Sequence, residues 1–273
     1  MARAIKHIKA GILHIEVLGQ IPEPGERKRR AARCRSTSAA QAFYNAKASW
    51  RELELMIAAN FSGSDWVITY TYDNAHLPSC REEASKELQK YFRRLRTARR
   101  RRGDDLLYIY NIEGYHGSEG QDGYISAGPL EDRRIHHHVI LNGCGPGDLD
   151  ELRSLWRGGG YVRAERLDIH YYRELAKYMT KEAREFGTPR PGERTWRASR
   201  NLQKYEVEYE ELRSSVTLAP PPGAMDYQSF AEQNPYGYAQ CIGARYLLYE
   251  EPPARSYTYA GRRSPARPLH FQP

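Results

Sequence analysis

The sequence predicts an α+β fold: a mainly antiparallel central sheet with helices packed on it. Three observations predict it. Residues 66–72, 106–113 and 134–142 are short runs rich in β-branched and aromatic side chains, which favour strands. Residues 36–59 and 84–102 carry apolar side chains at helical spacing. Turn residues separate these segments and give an order in which strands and helices alternate as one layered domain.

The chain opens with a short apolar stretch, Gly11 to Leu18, and a basic run follows at Arg27, Lys28, Arg29, Arg30, Arg33 and Arg35. In 36–59, Ser36 or Ser38 caps the start, and Phe43, Trp50, Leu53 and Ile57 recur on one face. Trp66 to Tyr72 is a strand, ended by Asp73-Asn74 and Pro78. In 84–102 Leu88, Tyr91, Phe92 and Leu95 form the apolar stripe, Arg99 to Arg102 form a basic end, and Gly103 stops the helix. The strand 106–113 leads into a glycine-rich loop, 114–128, and then into the strand 134–142. A short helix at 149–156, a turn at Gly158 to Gly160 and a strand at 161–166 precede a helix at 170–185. Beyond about residue 211 the pattern weakens, and ARYLLYEEPP offers at most one late strand.

Length and composition bound the function. The 273 residues carry a net charge of +8, with 40% hydrophobic and 28% charged residues, enough to build a core. The pI is near 9.2, so an anionic partner is expected. No apolar run approaches the roughly 20 residues of a bilayer span, and the start lacks the apolar core of a signal peptide. Cys34, Cys80, Cys144 and Cys241 are widely spaced, which fits a reducing cytoplasm better than a disulfide scaffold or a zinc ribbon.

Chemistry concentrates in three places. In Arg134-Ile-His-His-His-Val-Ile-Leu-Asn142 a strand puts His136 and His138 on one face, with Ile135, His137, Val139 and Leu141 on the other. Two imidazoles at that spacing suit one metal ion, although short His patterns also arise by chance. Glu113 closes an otherwise apolar and aromatic strand. If that strand neighbours the histidines, the three side chains make a site for Mg²⁺ or Mn²⁺, or for another divalent ion. Glu131 and Asp132 read as solvated loop residues. On the helix 170–185, Glu174, Tyr178 and Lys181 form one stripe with Tyr171 a turn below, beside Leu175 and Met179, which anchor the helix.

Together these segments resemble the HUH endonuclease superfamily, and within it the rolling-circle replication initiators of small phages and plasmids. WVITYTYDNAHLP (66–78) resembles the first motif, RIHHHVILNG (134–143) the His-hydrophobic-His motif, and LAKYMTKE (175–182) the Tyr-x-x-Lys motif. Glu113 matches a glutamate placed before the histidines, and Ser199 to Leu202 match a Ser-Arg-Asn-Leu segment of the group. Each motif alone is weak, and their order strengthens the match.

The resemblance spans roughly residues 36 to 206 and implies a replication initiator that nicks single-stranded origin DNA. His136, His138 and Glu113 would hold a divalent metal, Mg or Mn. Tyr178 would attack the phosphate, leaving a 5′-phosphotyrosine link and a free 3′-hydroxyl primer, with Lys181 assisting. Microvirus-type initiators carry two tyrosines four residues apart here; this chain has Glu174 at the earlier position, as some plasmid initiators do, which implies water activation. Arg29, Arg30, Arg93, Arg94, Arg99, Arg100, Arg101 and Arg102 are expected to contact DNA backbone.

The expected organisation is a basic N-terminal arm and helix (1–62), an endonuclease domain (63–210) and a C-terminal extension without assigned role (211–273). No GxxxxGK[ST] loop occurs, so a host helicase and DNA polymerase are the expected partners, in the cytoplasm of a bacterial host and away from membranes. The rival classes are a single-strand-binding protein without cleavage, disfavoured by the lack of an RNP1-like pattern, and a transposase or relaxase of the same superfamily.

Overall fold

The computed structural model describes residues 3–20, 39–114, 134–181, 194–212, 216–233 and 240–249. The fold is α+β, with two five-stranded antiparallel sheets and four helices. The central sheet contains β3 (Trp66–Tyr72), β4 (Tyr108–Glu113), β5 (His136–Leu141), β6 (Gly159–Arg166) and β7 (Arg197–Ala198). Its order is β6-β3-β5-β4-β7, so the histidine strand lies in the middle.

Alternation along these strands sends two apolar sets to opposite faces. Ile68, Tyr70, Tyr72, Tyr110, Val139 and Leu141 face α2 (Arg81–Arg102) and α3 (Asp148–Ser154). Val67, Ile109 and Ile140 face α1 (Ala39–Asn60) and α4 (Tyr172–Met179). The α2 helix ends where the sequence says it should: Gly103 adopts φ 83°, and its N–H returns to the carbonyls of Arg99 and Arg100.

The second sheet goes beyond the sequence expectation. It contains β1 (Arg3–Ala10), β2 (Leu13–Gln20), β8 (Glu206–Glu211), β9 (Met225–Gln233) and β10 (Gln240–Leu247), in the order β8-β1-β2-β10-β9. Ile8, Ala10, Leu13 and Leu247 carry one of its faces onto α1. Three strands therefore lie at or beyond residue 206, where the sequence pattern offers one late strand. The hairpin β1–β2 replaces the single apolar stretch at Gly11 to Leu18, and it turns at Gly11 with φ 57°. A Cβ there would lie 2.3 Å from the Ala58 carbonyl oxygen, so the hairpin tip is fitted against the end of α1.

Arg245 on β10 fastens this sheet to α1: its Nη2 donates to Glu54 Oε1 at 2.6 Å, and both side chains are buried. Burial raises the pKa of Glu54, while Arg245 and Arg173 oppose that rise. No helix among the described residues is long and apolar enough to cross a membrane.

The helix expected over 170–185 is shorter. A 3₁₀ turn at Ile169–Tyr171 leads into α4, which ends at Met179. Side chains take the terminal carbonyls instead of further helical turns: Thr180 Oγ1 donates to Ala176 O at 2.8 Å, and Asn111 Nδ2 donates to Met179 O at 2.7 Å. The expectations for Arg27 to Arg35, including Arg29 and Arg30, and for Glu131 and Asp132 lie outside the described residues.

Candidate metal and tyrosine site

Strand pairing builds the site. On β4 and β5, Glu113 lies opposite His136 and Asn111 opposite His138; on β3, Thr69 lies opposite His138. Directly opposed residues share a face, so these polar side chains are grouped by register alone. Glu113 Oε2 lies 3.6 Å from His136 Nε2 and 3.5 Å from His138 Nε2. Glu113, His136 and His138 offer ligand atoms within 4.8 Å of one another, and no other such group occurs among the described residues.

The rest of the shell orients these ligands. His136 Nδ1 lies 3.0 Å from the Arg134 carbonyl, which can only accept, so Nδ1 carries the proton and Nε2 is left with a lone pair toward Glu113. His138 Nδ1 meets the Thr69 hydroxyl at 3.1 Å. Asn111 Nδ2 also donates to Glu113 Oε1 at 3.3 Å, so one amide touches both the carboxylate and the end of α4.

The electrostatics match the donor set. Burial alone would raise the Glu113 pKa, but the contacts with His136 and His138 and the charge of Lys181 outweigh it and hold the carboxyl well below its usual range. Burial lowers the pKa of His138. His136 moves the other way, because its contacts with Glu113 and Arg134 overcome burial. An ionised carboxylate and two imidazole nitrogens with free lone pairs form a donor set that suits a divalent cation.

The α4 helix brings up the tyrosine. Tyr178 is 45% exposed, and its hydroxyl lies 3.3 Å from His138 Nε2. Lys181 Nζ lies 3.2 Å from Glu113 Oε2 and 3.9 Å from the centre of the Tyr178 ring. The structure thus brings together His136, His138, Glu113, Tyr178 and Lys181. Glu174 is exposed one turn before Tyr178, and its charge reaches Glu54 and Arg245.

One sequence expectation needs correction. Arg99 cannot serve as a DNA contact, because its side chain is fully buried and bonds to Asn142 and Asp148. Arg102 is held by Glu151 and Asp104, and Arg94 donates to the Leu155 carbonyl; Arg93, Arg100 and Arg101 are exposed. Ser199, from the Ser-Arg-Asn-Leu segment, supports β4 instead of entering the site, exchanging hydrogen bonds with the Tyr108 backbone.

His137 is also structural. It is buried against Tyr72, whose hydroxyl lies 2.6 Å from Nε2, and burial drives its pKa down to about 3, so it stays neutral. The orienting residues Thr69 and Asn111 escaped the sequence reading. Their signal was there: each is a polar residue at an alternate position of an otherwise apolar or aromatic strand.

Residues 65–183 match the model of a family described as replication-associated protein of the ORF2 type. That segment runs from β3 to just beyond α4 and contains the whole cluster. The match supports a replication-initiator family for this part of the chain and implies interaction with DNA. No curated protein and no solved structure matches the chain.

Proposed function

We propose that this protein initiates rolling-circle replication as an HUH endonuclease with a single catalytic tyrosine, nicking single-stranded origin DNA in the cytoplasm of a bacterial host. The observation that carries the reading is the placement of the Tyr178 hydroxyl 3.3 Å from His138, within the Glu113–His136–His138 group.

In this reading His136, His138 and Glu113 hold Mg²⁺ or Mn²⁺, which supplies Lewis-acid polarisation of the scissile phosphate when bound. The Tyr178 oxygen forms a bond to phosphorus as the bond from phosphorus to the 3′-oxygen breaks. The phenolic proton is balanced by the proton taken up by the 3′-hydroxyl. Tyr178 is left joined to the 5′ side, and the 3′-hydroxyl serves as primer. Lys181 places positive charge beside the ring that carries the attacking oxygen. A host helicase and polymerase then unwind and extend the strand.

The test is incubation with a randomised pool of single-stranded oligonucleotides and Mn²⁺ or Mg²⁺, read on a denaturing gel. A covalent adduct with a recurring junction sequence is expected, and none with EDTA. Binding without any adduct in the unmodified protein would favour the binding-module class instead.

Glu174 is the proposed general base for a later water attack that releases the adduct, since an exposed carboxylate one helical turn away is competent for it. Glu174→Ala is expected to form the adduct normally and to resolve it about 10²-fold more slowly in a chase experiment. Resolution at the original rate would remove Glu174 from the mechanism.

A further inference from the structure

The face of the central sheet that carries the ligands does not end at β5. Register extends it through β3 to the edge strand β6: His138 lies opposite Thr69, and Thr69 lies opposite Arg163. Val162 and Ala164 pack against the α2 side, so Tyr161 and Arg163 point to the ligand side. Two strand spacings separate β5 from β6, roughly 10 Å.

The two β6 side chains have no structural use. Tyr161 is 87% exposed, the most exposed large apolar side chain among the described residues. The Arg163 side chain is 78% exposed, and its partner, Glu165, is 61% exposed, so that pair is a weak one. The glycine turn before β6 is built to present them. A Cβ at Gly160 would lie 2.5 Å from the Thr71 carbonyl carbon, so only glycine lets β6 close against β3 there. The Thr71 hydroxyl then donates to the Tyr161 carbonyl at 3.1 Å, fixing the backbone while leaving the ring in solvent.

We propose that Tyr161 and Arg163 form a single-strand docking platform continuous with the cleavage site, the Tyr161 ring stacking on a base and the Arg163 guanidinium meeting a phosphate of the same strand. The occupant is single-stranded DNA, an assignment that rests on the nicking reading above. It follows from continuity of the face: a strand with its phosphate beside Tyr178 that runs along the sheet next meets an exposed aromatic ring and a cation. That pairing is how sequence-tolerant single-strand sites are built.

The test separates docking from chemistry by measuring fluorescence anisotropy of a labelled mixed-sequence single-stranded oligonucleotide in EDTA, where no cleavage occurs. Tyr161→Ala is expected to weaken binding about 5- to 100-fold, and Tyr161→Trp to restore it, because stacking needs a ring and not a hydroxyl. Arg163→Ala is expected to flatten the dependence of log affinity on log salt by about 0.7, one phosphate contact. Tyr178→Phe should bind as the unmodified protein does, which keeps a failure of docking distinct from a failure of the nicking reading. Tyr161→Ala binding as tightly as the unmodified protein would overturn the platform, whatever the adduct assay shows.

Discussion

Tyr178→Phe is expected to eliminate the covalent protein–DNA adduct, a loss of at least about 10³-fold, while the fold and single-strand affinity persist. The substitution removes one oxygen and little else. The ring keeps its edge-on contact with His138 at 4.8 Å between centroids and its place under Lys181. Because Tyr178 is 45% exposed, losing the hydroxyl leaves no buried partner unsatisfied except His138 Nε2, which still faces Glu113. The neighbouring tyrosines make the result specific. Tyr172 is buried, and its hydroxyl donates to the Phe61 carbonyl at 2.8 Å, so it is committed to the core. Tyr171 is 58% exposed but precedes α4, in the 3₁₀ turn. An adduct that survives in Tyr178→Phe and vanishes in Tyr171→Phe would move the nucleophile. Titration with Mn²⁺ followed by calorimetry should give the same affinity for Tyr178→Phe as for the unmodified protein, since the three proposed ligands are untouched.

Legibility in the sequence followed the range of the interactions. The strands β3, β4 and β5 each carry a period-two pattern strong enough to be read alone, and the residues placed on one face, His136 with His138 and Ile109 with Glu113, are found there. The second sheet was hidden because its pairing is not local. The strand β8, EVEYEE, has a single buried-type residue among its acids, is exposed throughout and gains its place only by pairing with β1, at the other end of the chain. The hairpin at Gly11 was readable in principle, since a glycine between two mixed apolar and polar runs is a turn signal. At the site, the residue types that do chemistry stood out. The residues that aim them did not, because Thr69 and Asn111 acquire meaning only when the register sets both beside His138.

Arg99 carries the same lesson into energetics. Four arginines in the last turn of α2 look alike in sequence, and the helix dipole favours all of them. Only Arg99 points inward, three residues after Arg96 and beside the Leu95 stripe. Its Nη1 donates to Asn142 Oδ1 at 2.6 Å and its Nη2 to Asp148 Oδ1 at 3.1 Å. Asp148 also accepts from Trp66 Nε1 at 2.9 Å and from the Cys144 amide at 3.1 Å. Asn142 accepts from the Leu107 amide and donates to the Asp105 carbonyl. One guanidinium therefore joins α2 to the end of the histidine strand, to β3 through Trp66, and to α3.

Arg99→Met keeps the length of the side chain and removes the charge, leaving a buried carboxylate without its cation. The expected cost is about 3–5 kcal/mol, on the order of a 10 °C fall in Tm for a chain of this size. Arg99→Met with Asp148→Leu should recover part of the loss, because a buried pair replaced on both sides is far less costly than one broken on one side. Arg100→Met and Arg101→Met, on the exposed side of the same turn, should leave Tm unchanged and weaken DNA binding at low salt. Thermal melts and single-strand affinities of these variants separate an internal strut from surface charges. An Arg99→Met protein that melts normally but binds DNA poorly would contradict the buried placement.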